Sequence, residues 1–445
     1  MKYNFKKYFS LLLASLVIMM SVIAQPLSAQ AAEELDLNAE SAILVDGETG
    51  KVLYAKNADA AMPPASMTKM MTEYLVMEAI SNGEISWDTT TQISDYPYSI
   101  SANPSFSGIG LTQNKDYTVR QLYEAMAVFS DNATTIALAE LIAGSETEFV
   151  KLMNQKAEEM NLPEYKFVNT TGLDNASLGD NRPEGTDPNG SNLLSAKSAA
   201  LLAYHLVNDF PEALEISSKT EVEFEGYTVE NLNWMLPHEA TFLKPFYYEG
   251  MDGLKTGNTE LAGYTFTGTA VRDGKRLISV VMKTASKEER FRETKKLLDY
   301  GYNQFEKQEL FAAGYQLEGE SNIPVAKGKE DTVEVSIKEG FSLPVKAEDT
   351  EAYSIKYHID EDKLNAEGSL TAPIEKGEKI GTAELVFNGE TDYGYIFSDK
   401  NQTVDLVANN AVEKSNWFML TLQSIGDFFV NLFTTAVDWI KGLFS

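Results

Sequence analysis

The stretch from 263 to 285, "GYTFTGTAVRDGKRLISVVMKTA", constrains the fold most. Two β-branched runs are joined by Arg272-Asp273-Gly274-Lys275, a turn that returns the chain on itself as an antiparallel hairpin. A second hairpin signal lies far upstream, in "SAILVDGETGKVLYAK" over 41–56, around Asp46-Gly47 and Gly50. Between these strand pairs the pattern is helical. Apolar positions recur at three and four residues from Ser66 to about Ile80, twice within 118–143, over 147–161 and over 195–209. A further helix, "KEERFRETKKLLDYGYNQF", closes the unit near 305. Strand pairs thus stand at both ends of this unit, with helices between them.

After 307 the character changes. "VEVSIKEG", "YSIKYHI", "KIGTAELVF" and "YGYIFS" are short alternating strands separated by glycine and acidic turns, which predicts a small all-β domain over 308–402. The stretch 172–193, rich in Gly, Asn, Asp and Ser, reads as a long surface loop. The two ends carry signals of another kind. Lys2, Lys6 and Lys7 precede an apolar run to about Ala24 and a small-x-small box, Ala29-Gln30-Ala31. This is the pattern of a cleaved secretory signal over 1–31, competing with a retained anchor. At the other end, after a linker from 403, Phe418, Leu422, Ile425, Phe429, Leu432, Ala436, Ile440 and Leu443 form one face of a helix over 417–445. Gln423, Asp427, Asn431 and Asp438 fill the other. A polar face is unsuited to spanning lipid, so the expectation is an amphipathic helix lying on a membrane surface, against the alternative of docking on the protein's own core.

Composition removes several function classes. The 445 residues carry 37 Lys and Arg against 66 Asp and Glu, a formal net charge of -29. That repels nucleic acid. With no cysteine, thiolate catalysis, disulfides and cysteine–zinc sites are excluded. The three histidines, His205, His238 and His358, are dispersed, and neither a zinc-hydrolase nor a phosphate-loop motif occurs.

What remains is hydroxyl chemistry. In "PPASMTKMMT", over 63–72, Ser66 and Lys69 stand one helical turn apart behind two prolines. A serine hydroxyl needs a base, and a lysine serves as one when burial and a neighbouring cation keep it neutral. The helix N-terminus adds N–H groups suited to an oxyanion. Ser130-Asp131-Asn132 falls between two helices, and Lys255-Thr256-Gly257 begins a strand run. Each is weak alone; the order Ser-x-x-Lys, Ser-x-Asn, Lys-Thr-Gly is the signature set of penicillin-binding proteins and class A β-lactamases.

Over roughly 38–440 the chain resembles the low-molecular-weight penicillin-binding proteins that act as D-alanyl-D-alanine carboxypeptidases. The likeness extends to "AILVDGETGKVLYAKNADAAMPPASMTKMMT", "VNTTGLDN" and "LISVVMKTASKEERFRETKKLLDYG". It implies an α/β (α+β) catalytic domain over 32–307, an antiparallel sheet flanked by helices with a helical subdomain carrying Ser130, then the β-domain and the anchor. By position, Ser66 would be the acylated nucleophile, Lys69 the general base and Ser130 the proton relay. Asn132 would hold the substrate backbone. Lys255, Thr256 and Gly257 would meet its terminal carboxylate, Asn258 and Ser66 would supply the oxyanion N–H groups, and Arg290 would also face the carboxylate. No metal or cofactor is implied. The implied partners are peptidoglycan stem peptides and, as inhibitors, β-lactams; the implied location is the outer face of the bacterial cytoplasmic membrane.

Rival readings remain at this point. A β-lactamase would need a glutamate after Ser-x-Asn, for which Glu164 is the candidate. An endopeptidase or transpeptidase would use the same residues, and a wall-binding scaffold would use none. Ser101-Ala102-Asn103 also fits Ser-x-Asn, although Pro104 follows it.

Overall fold

The computed structural model describes residues 35–397 and 402–416. The expected signal segment and the expected helix over 417–445 lie outside these residues. Among the described residues no helix is long and apolar enough to cross a membrane.

The two strand pairs meet in one antiparallel sheet of five strands, in the order Val52–Lys56, Ser41–Asp46, Lys275–Thr284, Gly263–Arg272, Met251–Thr259. Period-two alternation assigns its faces. Ile43, Val45, Ile278 and Val280 enter the main core with Ala199, Leu202 and Leu206 of helix Ala196–Asp209. Leu44 and Leu277 point the other way, against helix Lys287–Gln304. That helix approaches so closely that a Cβ on Gly301 would meet both leucines, at 2.6 and 2.7 Å.

The main core continues into the helical layer. Helix Lys69–Ser81 is buried on nearly every side, as its methionines predict, and packs with Asn132–Ala143 and Glu146–Glu159. Between Val119–Glu124 and Asn132–Ala143 the chain makes a π-helical turn, Ala125–Phe129. The 172–193 stretch is more ordered than a surface loop. It contains a helical turn, Asn175–Leu178, and is pinned by the buried side chains of Asn175 and Asn192.

The β-rich remainder forms a six-stranded sheet in the order Tyr353–Ile359, Lys379–Phe387, Thr403–Ala408, Thr332–Ile337, Asn322–Ala326, Leu370–Thr371. Glu306–Phe311 pairs separately with Phe341–Val345. Two expectations are corrected here. The linker predicted from 403 begins with a central strand of this sheet, because Val404, Leu406 and Ala408 alternate into its apolar side. The run "YGYIFS" is not a strand of this sheet; it lies against the first hairpin of the catalytic domain. There Val52 N–H donates to Gly394 O and Ile396 N–H to Gly50 O, at 2.9 and 3.0 Å. Lys51 sits among the rings of Tyr353, Phe387 and Tyr395.

Candidate active site

Pro63 and Pro64 stop the preceding segment, and the chain turns sharply. Ala65 takes a left-handed φ of 48° and opens a 3-10 turn, Ala65–Thr68, that runs into helix Lys69–Ser81. Ser66 therefore stands on a tight turn before the α-helix, a difference from the continuous helix its spacing predicts. Gly172 packs on this turn from above, at a φ of 84°, where any side chain would overlap the Ala65 carbonyl. Gly257 of the edge strand packs on it from the side. Thr265 Oγ1 donates to Pro64 O at 3.1 Å, tying the turn to the next strand.

Lys69 is fully buried at the centre. Its Nζ lies 3.0 Å from Ser66 Oγ, 2.8 Å from Asn132 Oδ1 and 2.9 Å from Thr171 O. The last two oxygens only accept; Asn132 is oriented by its own Nδ2, which donates to Ser107 O at 3.1 Å. A neutral amine has two N–H donors and one lone pair. With both donors taken by carbonyl oxygens, the lone pair is left facing the Ser66 hydroxyl. The electrostatics favour that form. Burial, then the charge of Lys255, drives the Lys69 pKa well below its ordinary 10.5, against the opposing pull of Asp131 and Glu73.

Ser130 lies in the helical layer, two residues before Asn132. It ends the π-helical turn with a left-handed φ of 66°, and its buried Oγ has no hydrogen-bond partner among the described residues. Asp131 is structural. Its carboxylate caps helix Asn132–Ala143 at Thr134 N–H and takes the N–H of Ile109, at 2.6 and 2.7 Å. Lys255 is buried on the edge strand, its pKa lowered by burial and by Arg290, with Glu73 opposing. It is near enough to Lys69 to act on its charge.

Arg290 is 4% exposed, and its Nη1 donates to Gly257 O at 3.1 Å. The guanidinium thus braces the strand bearing Lys255 and Thr256. Asn258 follows on that strand opposite Tyr264. Neither earlier rival stands here. Ser101 Oγ accepts from Leu111 N–H and Asn103 Oδ1 from Ser105 N–H, both local bonds; the Glu164 side chain is exposed. Two participants escaped the motif reading. Thr171 acts through its backbone, held by Asn169 Oδ1, which accepts the N–H groups of Thr171 and Gly172. Glu73 was visible only as one more position on the buried helix, although its spacing of four from Lys69 places both on one face.

Residues 28–286 match the family model "D-alanyl-D-alanine carboxypeptidase". The chain belongs to the D-alanyl-D-alanine carboxypeptidase family. This carboxypeptidase is a hydrolase of a family whose general property is a serine mechanism, with a C-terminal all-β region at 305–414 that matches "Penicillin-binding protein 5, C-terminal domain". It is 34% identical to D-alanyl-D-alanine carboxypeptidase DacF of Bacillus subtilis over 80% of this chain and 84% of that one. It is 30% identical to DacA of Escherichia coli over 80% and 81%. Among solved structures it is similar to a peptidoglycan synthesis regulatory factor (PBP3) from Streptococcus pneumoniae, with a TM-score of 0.67, 36% identity, and coverage of 85% of this chain and 100% of that one. Penicillin-binding protein 5 from Haemophilus influenzae gives 0.66 and 29%, covering 85% and 98%. Penicillin-binding protein D2 from Listeria monocytogenes, in its cefotaxime-bound form, gives 0.52 and 36%, covering 60% and 98%.

Proposed function

We propose that the carboxypeptidase removes the terminal D-alanine of peptidoglycan stem pentapeptides through an acyl-enzyme on Ser66. The observation that carries this is the placement of the Lys69 amine, whose N–H groups are spent on Asn132 and Thr171 while its third contact is the Ser66 hydroxyl. Lys69 takes the Ser66 proton as Oγ bonds to the carbonyl carbon of the penultimate D-alanine. The backbone N–H groups of Ser66 and Asn258 meet the developing oxyanion. As the C–N bond breaks, Ser130 passes a proton to the departing amine, a role that suits its otherwise unpartnered Oγ. Lys255 and Thr256 hold the terminal carboxylate, Gly257 lets the substrate backbone lie close, and Asn132 binds that backbone. Water then cleaves the ester with Lys69 again as base.

The remaining proposals are the division at 31, 307 and 402, modified by the strand Thr403–Ala408, together with export and attachment to the membrane surface through 417–445. The amphipathic pattern of that tail supports attachment. The deciding experiment gives purified protein a stem pentapeptide and benzylpenicillin in separate reactions, followed by mass analysis. Loss of one alanine, one drug mass on the Ser66 peptide, and neither in Ser66→Ala are expected. An adduct on another residue, or none, overturns the assignment.

A further inference from the structure

Glu73 has no part in the steps above, yet it borders them. It follows Lys69 by four residues on helix Lys69–Ser81, so the two share a side. It is 2% exposed, and its Oε1 has no hydrogen-bond partner among the described residues. Across from it, on helix Val119–Glu124, stands fully buried Tyr123, whose hydroxyl also lacks a partner among the described residues. The charges that act on Glu73 are Lys69 on its own helix and Lys255 on the edge strand, but neither pairs with it directly among the described ion pairs. Lys69 spends its contacts elsewhere. Tyr123 is held neutral by burial and by Glu73 itself.

We propose that Glu73 is a charge buffer for the site, an anion opposite Lys255 when the cleft is empty that takes up a proton when a substrate carboxylate arrives there. The inference rests on the assignment of Lys69 as base and Lys255 as carboxylate contact. Two carboxylates near one buried ammonium do not both stay ionised. The substrate group has Lys255 and Thr256 to bond, Glu73 Oε1 has no partner among the described residues, and burial already favours the neutral form of Glu73. Glu73 therefore gives way. Lys69 then meets about the same net charge with and without substrate and is not pushed back to its ammonium form. Glu73 is a positioning residue for charge and touches no reacting atom.

Acylation by benzylpenicillin is proton-neutral in itself, since the Ser66 proton ends on the ring nitrogen. Net uptake from a weakly buffered solution near pH 7 therefore reports the protein's own groups. The wild type is expected to take up a sizeable fraction, up to about one proton per acylated Ser66, and Glu73→Gln little. In Glu73→Gln the alkaline limb of kcat/KM should also move down by about one pH unit, because Lys255 loses its counter-anion while Arg290 remains. Equal uptake and unshifted limbs in a folded, penicillin-labelled Glu73→Gln overturn the inference and leave the Ser66 assignment standing; absence of the Ser66 adduct itself strikes the underlying assignment. If Glu73→Gln does not fold, Glu73→Asp, which draws the carboxyl away from the lysines, should reduce the uptake. Unchanged uptake there, or none in the wild type, overturns the proposal equally.

Discussion

Gly257 lies against the carbonyl of Pro64, where a Cβ built on it would stand 2.6 Å from that oxygen. The strand that bears Lys255 and the turn that bears Ser66 are thus in backbone contact, with no side chain as spacer. Gly257→Ala should push the two apart. We expect penicillin acylation of Ser66 to slow by about 10–100-fold and stability to fall by about 1–3 kcal/mol from overpacking. Stopped-flow acylation and thermal melts measure both; an unchanged acylation rate would show that the contact has no bearing on the site.

Activity should be bell-shaped in pH, with both limbs set by buried lysines. Lys69 must be neutral, so kcat/KM rises with pH through its lowered pKa, well below 10.5. Lys255 must be charged, and burial lowers it too, so activity falls again before an ordinary lysine would titrate. Lys255→Arg keeps its charge at high pH. Its alkaline limb should move upward even if the rate at neutral pH drops about tenfold; a limb that stays in place would assign it to another group.

Stability has its own pH signature at Lys69. Its pKa is depressed in the folded protein and ordinary in the unfolded chain, so between those two values the unfolded state binds the extra proton. The contribution of Lys69 to stability must therefore rise with pH across this window, by up to about 1.4 kcal/mol per unit. Lys69→Met has no such proton. The difference in melting temperature between wild type and Lys69→Met should shift in favour of the wild type from pH 7 toward 10; a constant difference would mean that Lys69 is charged in the native state.

Truncation before Asn416 should leave the catalytic residues intact and release the protein from vesicles. Sedimentation with liposomes, before and after truncation, tests it, and persistent binding by the shortened chain would move the anchor elsewhere.

Much of this site was legible because it is made of side chains at fixed local spacing. Ser66 and Lys69 are three apart, Ser130 and Asn132 two apart, and Lys255 begins a run whose alternation announces a strand. What the sequence hid is backbone and distance. The Thr171 carbonyl has no residue-type signature, and its meeting with Lys69 across 102 positions depends on a loop folded around Asn169. The role of "YGYIFS" was hidden for a similar reason. Its alternation predicts a strand, but only Tyr395 pairs, in an isolated bridge to Lys51, and alternation does not say which element a segment will meet. The boundary at 402 failed because Thr403–Ala408 stands well apart in sequence from the strand Lys379–Phe387 that it pairs with, so composition there looked like the start of a tail.

The junction at Gly50, Val52, Gly394 and Ile396 has a mechanical consequence. Because the two regions are stitched by main-chain bonds as well as by the covalent chain, and Lys307 further pairs with Glu48, they have no free swivel there. A pull on the β-rich end would load those stitches sideways and be handed to the first hairpin.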